Sequence, residues 1–276
     1  MRGSQGWPHG AVMDTIDVDG HSIAYERAGS GPPLVLLHGY VGDGPATWRR
    51  QLDALCDEFT VVAWDAPGAG GSSDPPEAFG MAGYADCLAA FIGALGLGRP
   101  HVAGLSFGGA LALALCHRHP GIARTLILAS AYAGWAGSLP TAVAEQRLEQ
   151  AFALAGHTSD EFVGALLPTM FSAGPPQEFV DAFEASVRAF HPAGFRAMAR
   201  ASAENLREAL AHIDVPTLLI YGDADVRAPL TVAEDLHAAI AGSQLVVLPG
   251  TGHICNIEDA DGFNAAVRRF LAGYVA

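Results

Sequence analysis

The feature that most constrains the fold is a serine flanked by glycines, at the junction of two apolar segments. Residues 104–108 are Gly-Leu-Ser-Phe-Gly, with Ser106 at the centre. A short apolar run at 102–105 leads into the serine, and a longer run at 110–116 has the apolar content of a buried helix. This order predicts a strand, a sharp turn and a helix, because the glycines let the strand and the helix approach closely. In such a turn the serine hydroxyl is exposed at the end of the strand.

Short apolar runs alternate with helical patterns along most of the chain, which predicts an α/β fold. The predicted strands are 34–37, 59–64, 102–105, 125–129, 215–221 and 244–248. The predicted helices are 46–56, 81–95, 110–116, 231–240 and 260–272. Since the strands are apolar throughout, they predict a mostly parallel sheet flanked by helices. Two segments of alternating polarity, 14–19 and 22–27, predict a β-hairpin that brings the sheet to eight strands.

The alternation stops in the middle of the chain, where only helical patterns are found. These patterns predict helices over 141–156, 159–171, 176–190 and 193–210, separated by turn residues at 156–158, 174–176 and 191–192. We therefore predict two parts. Residues 1–133 and 213–276 form an α/β core, and residues 134–212 form an all-helical cap inserted in the core, over the strand ends.

The composition excludes several classes of partner. The net charge of −14 over 276 residues argues against nucleic acid and against an anionic membrane surface. No apolar run approaches the roughly 20 residues that span a bilayer, and residues 1–12 lack the apolar centre of a signal peptide. Four scattered cysteines predict buried free thiols, although a disulfide stays open. We expect a soluble cytoplasmic protein whose partner is a small molecule.

The residues that could activate Ser106 follow other predicted strands, whose carboxyl ends share one edge of a parallel sheet. A serine is a weak nucleophile until a base takes its proton, and the base is commonly a histidine oriented by a carboxylate. His253, in a glycine-rich loop directly after the last strand, is the candidate base. Asp225 is the candidate carboxylate, with Asp223 and Asp65 as alternatives. Serine, aspartate, histidine is the chain order expected after such a turn.

Acyl transfer also needs two backbone donors for the oxyanion that develops on the substrate. The N–H of Phe107 begins the predicted helix after the serine and supplies one. The N–H of Tyr40, in the loop after strand 34–37, is the best candidate for the other. We expect His38 to be a packed histidine bonded to loop backbone, and not a base.

No cofactor and no metal ion are predicted. The histidines lack metal-ligand spacing, and no carboxylate pair with a nearby histidine falls at a strand end. The glycine-rich residues 67–71 do not lead into a helix, so they do not match a nucleotide-binding loop.

Five motifs together resemble the α/β-hydrolase superfamily, over about residues 14–275. They are HGY at 38–40, DAPGAGGS at 65–72, GLSFGG at 104–109, YGDADVRAP at 221–229 and GTGH at 250–253. The resemblance implies the α/β-hydrolase fold and puts Asp225 at the place of the acid. Haloalkane dehalogenases and related epoxide hydrolases use an aspartate nucleophile, so Ser106 argues against both.

The resemblance implies a carboxylesterase-like serine hydrolase, which forms an acyl-enzyme from a small, largely apolar ester or lactone. Apolar residues of the cap would line the substrate pocket. The first candidates are Trp135, Met170, Phe171 and Phe195, followed by Phe152, Leu166 and Met198. One alternative is a carbon–carbon bond hydrolase of a diketone, with Arg188, Arg196 and Arg200 as polar groups of the cap. Another is a ligand-binding receptor with little turnover.

Overall fold

The computed structural model describes residues 13–172 and 177–274. The N-terminal residues 1–12 and the predicted turn at 174–176 lie outside the described residues. Eight strands are found in the described part. They are β1 (Asp14–Val18), β2 (His21–Ala28), β3 (Pro33–Leu37), β4 (Thr60–Trp64), β5 (His101–Leu105), β6 (Thr125–Ala129), β7 (Thr217–Gly222) and β8 (Gln244–Leu248). All eight belong to one sheet, in the order β1-β2-β4-β3-β5-β6-β7-β8.

The sheet is mostly parallel, as predicted. β1 and β2 form the antiparallel hairpin, and β2 pairs antiparallel with β4. All pairs among β3 to β8 are parallel. Every residue of β4, β5, β6 and β7 is buried. These strands can be apolar along their whole length because helices cover both faces of the sheet.

Twelve α-helices occur in the same described ranges. They are α1 (Gly44–Leu55), α2 (Gly80–Ala94), α3 (Phe107–Arg118), α4 (Trp135–Ser138), α5 (Thr141–Leu154), α6 (Ser159–Leu166), α7 (Gln177–Arg188), α8 (Pro192–Ala203), α9 (Arg207–Leu210), α10 (Leu230–Ala239), α11 (Cys255–Glu258) and α12 (Ala260–Leu271). No helix among the described residues is both long enough and apolar enough to cross a membrane.

The segment between β6 and β7 contains α4 to α9 and, in its described part, no strand. Its helix α7 packs on α1, and α8 packs on α2 and α3. We propose that these helices form the cap expected for residues 134–212, because their contacts are with helices that flank the sheet.

Two of the predicted helices in this segment are shorter than expected. The single helix predicted over 193–210 is two helices in the structure, α8 and α9. They are separated because the side chain of Asn205 accepts the N–H of Arg207 and forms a local turn. The helix predicted over 159–171 ends at Leu166, and residues 167–169 form a 3₁₀ turn. Pro168 explains this end, since it has no N–H to continue the helical hydrogen bonds.

The four cysteines are free thiols. Cys87, Cys116 and Cys255 are buried, whereas Cys56 is partly exposed at the end of α1. Burial raises the pKa of each of the three buried thiols to about 12.

Candidate active site

Ser106 lies in a strained turn between β5 and α3. Its φ of 52° and ψ of −109° are unusual for a residue with a side chain, and such strain persists only where the surroundings impose it. Here the N–H of Ser106 donates to the carbonyl of Ala129 in β6, at 2.8 Å. Its own carbonyl accepts the N–H groups of Gly109 and Ala110 in α3. The serine is therefore held by both the sheet and the helix.

The two glycines of the turn are required by close contacts. A Cβ atom on Gly104 would lie 2.2 Å from the carbonyl group of Gly108. A Cβ atom on Gly108 would lie 2.2 Å from the carbonyl oxygen of Leu37 in β3. The close contact of β5 with α3, which the sequence predicts from these glycines, is present in the structure.

His253 and Asp225 form a buried, hydrogen-bonded pair. Nδ1 of His253 donates to Oδ2 of Asp225 at 2.8 Å, and both residues are less than 5% exposed. The other carboxylate oxygen, Oδ1, accepts the N–H groups of Arg227 at 2.8 Å and Ala228 at 2.9 Å. This geometry leaves Nε2 of His253 as the nitrogen that can exchange a proton.

The pKa of Asp225 is lowered, although its burial by itself acts in the opposite direction. The charge of His253, its hydrogen bond and the two backbone N–H groups outweigh that burial. Asp225 is consequently a carboxylate, which can hold His253 in one tautomer and stabilise its protonated ring.

The alternative carboxylates, Asp223 and Asp65, hold loops together. Oδ1 of Asp223 accepts the N–H of Gly250 at 2.6 Å. The two oxygens of Asp65 accept the N–H groups of Gly44 and Gly71, at 2.9 and 2.8 Å. Burial and the nearby charge of Asp43 raise the pKa of Asp65 to about 7. Among the three candidate carboxylates, Asp225 is the one that bonds to His253.

Ser106 and His253 line one small cavity, which we call the serine cavity. Its empty volume is about 220 Å³, and its walls include Tyr40, Met170 and Phe183. The two residues that would exchange a proton therefore line the same small and mainly apolar cavity.

His38 supports the loop that contains Tyr40. Its Nε2 accepts the N–H of Ala66 at 2.9 Å, so the proton must be on Nδ1, which donates to the carbonyl of Gly39 at 2.6 Å. Burial lowers the pKa of His38 and favours this neutral form. Both ring nitrogens are thus used by loop backbone, as expected for a histidine that is not a base.

Tyr40 lines three cavities. Its ring stacks on Phe195 with centroids 5.2 Å apart and meets Trp135 edge-on at 5.6 Å. Its hydroxyl accepts a hydrogen bond from Nη2 of Arg227, at a distance of 2.7 Å. Besides the serine cavity, Tyr40 lines an aromatic cavity of about 520 Å³ with Phe195, and an arginine cavity of about 680 Å³ with Arg147 and Arg227.

The predicted pocket residues occupy different places around these cavities. Met170 lines the serine cavity, Phe195 and Met198 line the aromatic cavity, and Leu166 lines the arginine cavity. Trp135 packs against Tyr40, Phe171 meets Phe183 edge-on, and Phe152 lies beneath the guanidinium of Arg200. Which of these residues line a substrate pocket stays a prediction.

Sequence analysis missed Phe183, Arg147 and Arg227 as cavity residues. Arg227 had a local signal, because it follows Asp225 by two positions in the loop after β7. Phe183 and Arg147 lie on α7 and α5, and their places depend on how those helices dock. Two of the three arginines considered for a diketone are engaged elsewhere: Arg188 bonds to Asp160 and Glu184, and Arg200 to Glu77, all at the surface. In the described ranges, no three histidine, cysteine or acidic side chains are placed to share a metal ion.

The family model described as alpha/beta hydrolase fold matches residues 32–260. The chain belongs to the α/β-hydrolase fold family. This α/β hydrolase is 31% identical to the pimeloyl-[acyl-carrier protein] methyl ester esterase of Neisseria meningitidis, over 87% of this chain and 93% of that protein.

Two solved structures of hydrolases are similar to this α/β hydrolase over nearly their whole length. A thermophilic esterase from Thermogutta terrifontis, in its malate-bound form, gives a TM-score of 0.87 at 27% identity and covers 96% of this chain and 100% of its own. An enol-lactonase from Burkholderia xenovorans gives 0.83 at 27% identity, with 94% and 100% covered. The family and these relatives confirm the predicted fold and the prediction of a hydrolase.

Proposed function

We propose that this α/β hydrolase is a serine hydrolase that cleaves a small, largely apolar carboxylic ester or lactone. One observation carries the proposal: the strained Ser106 lines the same small cavity as His253, which is bonded to the buried carboxylate of Asp225. This arrangement suits a nucleophile, a general base and a group that orients the base.

In the first half of the proposed reaction, Oγ of Ser106 attacks the carbonyl carbon of the ester while Nε2 of His253 takes its proton. The carboxylate of Asp225 stabilises the imidazolium that forms. The carbonyl oxygen becomes negatively charged, and the N–H groups of Tyr40 and Phe107 donate to it. The N–H of Phe107 is at the N-terminus of α3, where helix N–H groups lack intrahelical partners and the helix dipole favours negative charge.

In the second half, the imidazolium of His253 returns its proton to the leaving alkoxide, and the alcohol departs. Ser106 then carries the acyl group. A water molecule loses a proton to Nε2 of His253 and attacks the acyl carbon, which breaks the bond to Ser106 and releases the acid. With a lactone, the alcohol and the acid are the two ends of one product.

The apolar walls of the serine cavity support a small and largely apolar acyl or alcohol group. Met170 and Phe183 come from the proposed cap, and Ile254 follows the proposed base. A methyl ester esterase, an esterase and an enol-lactonase are among the similar proteins, and they support an ester or lactone substrate.

A labelling experiment tests the proposed nucleophile. The wild type and Ser106→Ala are treated with a fluorophosphonate probe and assayed on p-nitrophenyl esters of increasing acyl length. We expect the wild type to be labelled and active, and the variant to lose on the order of 10⁶ in kcat. Ser30→Ala, at an exposed loop serine, is the control and should behave as the wild type.

The other outcomes separate the alternatives. A wild type that is labelled but hydrolyses neither esters nor lactones would exclude the proposed substrate, and turnover of a vinylogous diketone would then favour the carbon–carbon bond hydrolase. A wild type that is not labelled would contradict an activated Ser106 and favour the receptor.

A further inference from the structure

The arginine cavity holds two cations in a strongly acidic protein. Arg147 of α5 and Arg227 of the loop after β7 both line it. The ion pairs found among residues 13–172 and 177–274 involve other arginines and neither of these two. With a net charge of −14, the chain has many carboxylates that could have paired with them. Neither guanidinium thus has an ion-pair partner within the described part of the protein, although the charge of Asp225 acts on Arg227.

Neutral groups hold both guanidinium groups in place. Arg147 donates to the hydroxyl of Tyr132 at 2.9 Å and to the carbonyl of Arg227 at 3.2 Å. Its guanidinium also lies over the rings of Tyr132 and Trp135, 5.6 Å from each centroid. Arg227 donates to Oγ1 of Thr169 at 2.9 Å and to the hydroxyl of Tyr40. These uncharged groups fix the positions of the two guanidinium groups.

Several N–H groups of this pair have no acceptor in the described residues. A guanidinium has five N–H groups, and each arginine uses two of them in these hydrogen bonds. Nε of Arg227 is fully buried and has no partner. Since both arginines are half-buried and have no ion-pair partner among the described residues, an anion that enters the cavity would gain charge-assisted hydrogen bonds from them.

The remaining walls of the cavity are mainly apolar. They include Ala151, Leu154, Leu166 and Val226, of which Val226 is 76% exposed at the rim. An anionic group on a carbon chain matches these walls better than a small inorganic ion does, because the chain would cover the apolar surface.

The arginine cavity adjoins the proposed catalytic residues. The N–H of Arg227 donates to Oδ1 of Asp225, and Tyr40 lines both the arginine cavity and the serine cavity. One molecule that extends past Tyr40 could therefore have its ester at Ser106 and its anionic end at the arginines.

We propose that the arginine cavity binds a carboxylate carried by the substrate, so that the preferred substrate is a half-ester of a dicarboxylic acid. This inference rests on the proposed esterase function. The planar guanidinium suits a carboxylate because two N–H groups can bond to its two oxygens. The chain between the carboxylate and the ester is apolar, in agreement with the walls of both cavities.

The test compares each half-ester with a neutral ester of the same chain length. Monomethyl esters from succinate to suberate and methyl esters of the matching monocarboxylic acids are assayed by proton release. For the wild type we expect kcat/KM to favour the half-ester by about 10- to 100-fold at one chain length, the range expected for hydrogen bonds to charged groups. In Arg147→Met, which leaves only Arg227 in the cavity, this preference should fall clearly, and in Arg147→Lys it should fall less.

Arg200→Met is the matched control. Arg200 is also an arginine of the proposed cap that lies over an aromatic ring, but it pairs with Glu77 at the surface. Its removal should leave the ratio between half-ester and neutral ester unchanged. An equal ratio in the wild type and Arg147→Met, with both folded by circular dichroism, would overturn the proposal.

Calorimetry separates this inference from the proposed function. Ser106→Ala and the double variant Ser106→Ala/Arg147→Met are titrated with the best half-ester, or with monomethyl adipate if the wild type hydrolyses none. Tighter binding to the single variant by about 10-fold or more supports the carboxylate site even if no ester is turned over. Equal binding, or none to either variant, contradicts the site even if the neutral esters are hydrolysed.

Discussion

At the scale of single residues, the two oxygens of Asp225 have different partners. Oδ1 accepts two backbone N–H groups, and Oδ2 accepts Nδ1–H of His253. An asparagine at this position would keep its carbonyl oxygen at the two N–H groups, so its NH₂ group would face His253. Nδ1 would then accept a hydrogen bond from this NH₂ group. Nε2 would carry the ring proton, so it could not take the proton of Ser106.

We therefore predict that Asp225→Asn lowers kcat by about 10⁴ without unfolding the protein, because the histidine is held in the wrong tautomer. The measurement is steady-state hydrolysis of the best p-nitrophenyl ester. Asp223→Asn, which changes the other aspartate of the same loop, should retain most of the activity. If Asp223→Asn were the slower variant, the assignment of the acid would be wrong.

His38 gives a prediction about the pH dependence of stability. Its pKa is lowered in the folded protein, so near pH 6 the unfolded chain binds more protons at this site than the folded one. Its contribution to the free energy of unfolding is thus present above the ordinary histidine pKa of about 6.5 and is lost as the pH falls through the folded pKa.

In His38→Gln, the side-chain oxygen can still accept the N–H of Ala66, but it does not titrate. We expect this variant to lose less stability than the wild type between about pH 7.5 and about pH 5.5, which brackets the ordinary histidine pKa. Urea denaturation at both pH values measures the difference. Identical losses in the two proteins would show that His38 is not the group that titrates.

The residues of the candidate site differ in how well sequence alone predicts them. Ser106, Asp225 and His253 each follow a short apolar strand, so their places at one edge of the sheet could be predicted from local patterns. Arg147 and Phe183 lie on helices of the proposed cap. Their positions depend on the rotation and docking of α5 and α7, which no local pattern specifies.

At the scale of secondary-structure elements, α8 crosses the loop after β4 at a contact between two glycines. A Cβ atom on Gly194 would lie 2.0 Å from the carbonyl oxygen of Gly68. The backbone of α8 therefore contacts the backbone of the loop after β4 directly. A single methyl group on Gly194 would force these two segments apart.

Gly194→Ala should destabilise the protein by about 1–3 kcal/mol, although alanine is the better helix former. Gly164→Ala in α6 is the control, since nothing lies within 4 Å of its added methyl group. The control should be neutral or more stable by up to about 1 kcal/mol. Urea denaturation of both variants tests this, and a stabilised Gly194→Ala would contradict the tight crossing.

The helices of the proposed cap were also predicted less precisely than those of the core. The interruption between α8 and α9 depends on Asn205 and on the N–H of Leu206, which donates to the carbonyl of Ala133. That second contact joins residues distant in sequence, so helical periodicity over 193–210 could not reveal it. In the core, by contrast, each apolar strand is followed by its own turn residues, and the predicted order was confirmed.

At the scale of the whole molecule, the reactivity of the cysteine thiols shows whether the fold is intact. Cys87, Cys116 and Cys255 are buried, with the pKa of each thiol raised to about 12, so the folded protein contains little of their reactive thiolates. We predict that Ellman's reagent labels only Cys56 in the native protein and all four cysteines in guanidinium chloride.

Cys56→Ala is the control for the labelling experiment, and its native form should not react within the same time. Fast reaction of a second thiol in the native protein would mean that one of the three buried cysteines becomes accessible without global unfolding.

The position of Tyr40 has a consequence for how the chain can diverge. In the proposed mechanism its peptide N–H serves the reaction, whereas its ring and hydroxyl border the cavities. Every residue except proline supplies a peptide N–H, but few supply that ring. A duplicated gene could therefore acquire a new range of substrates by changing this one codon, while the reaction itself is inherited unaltered.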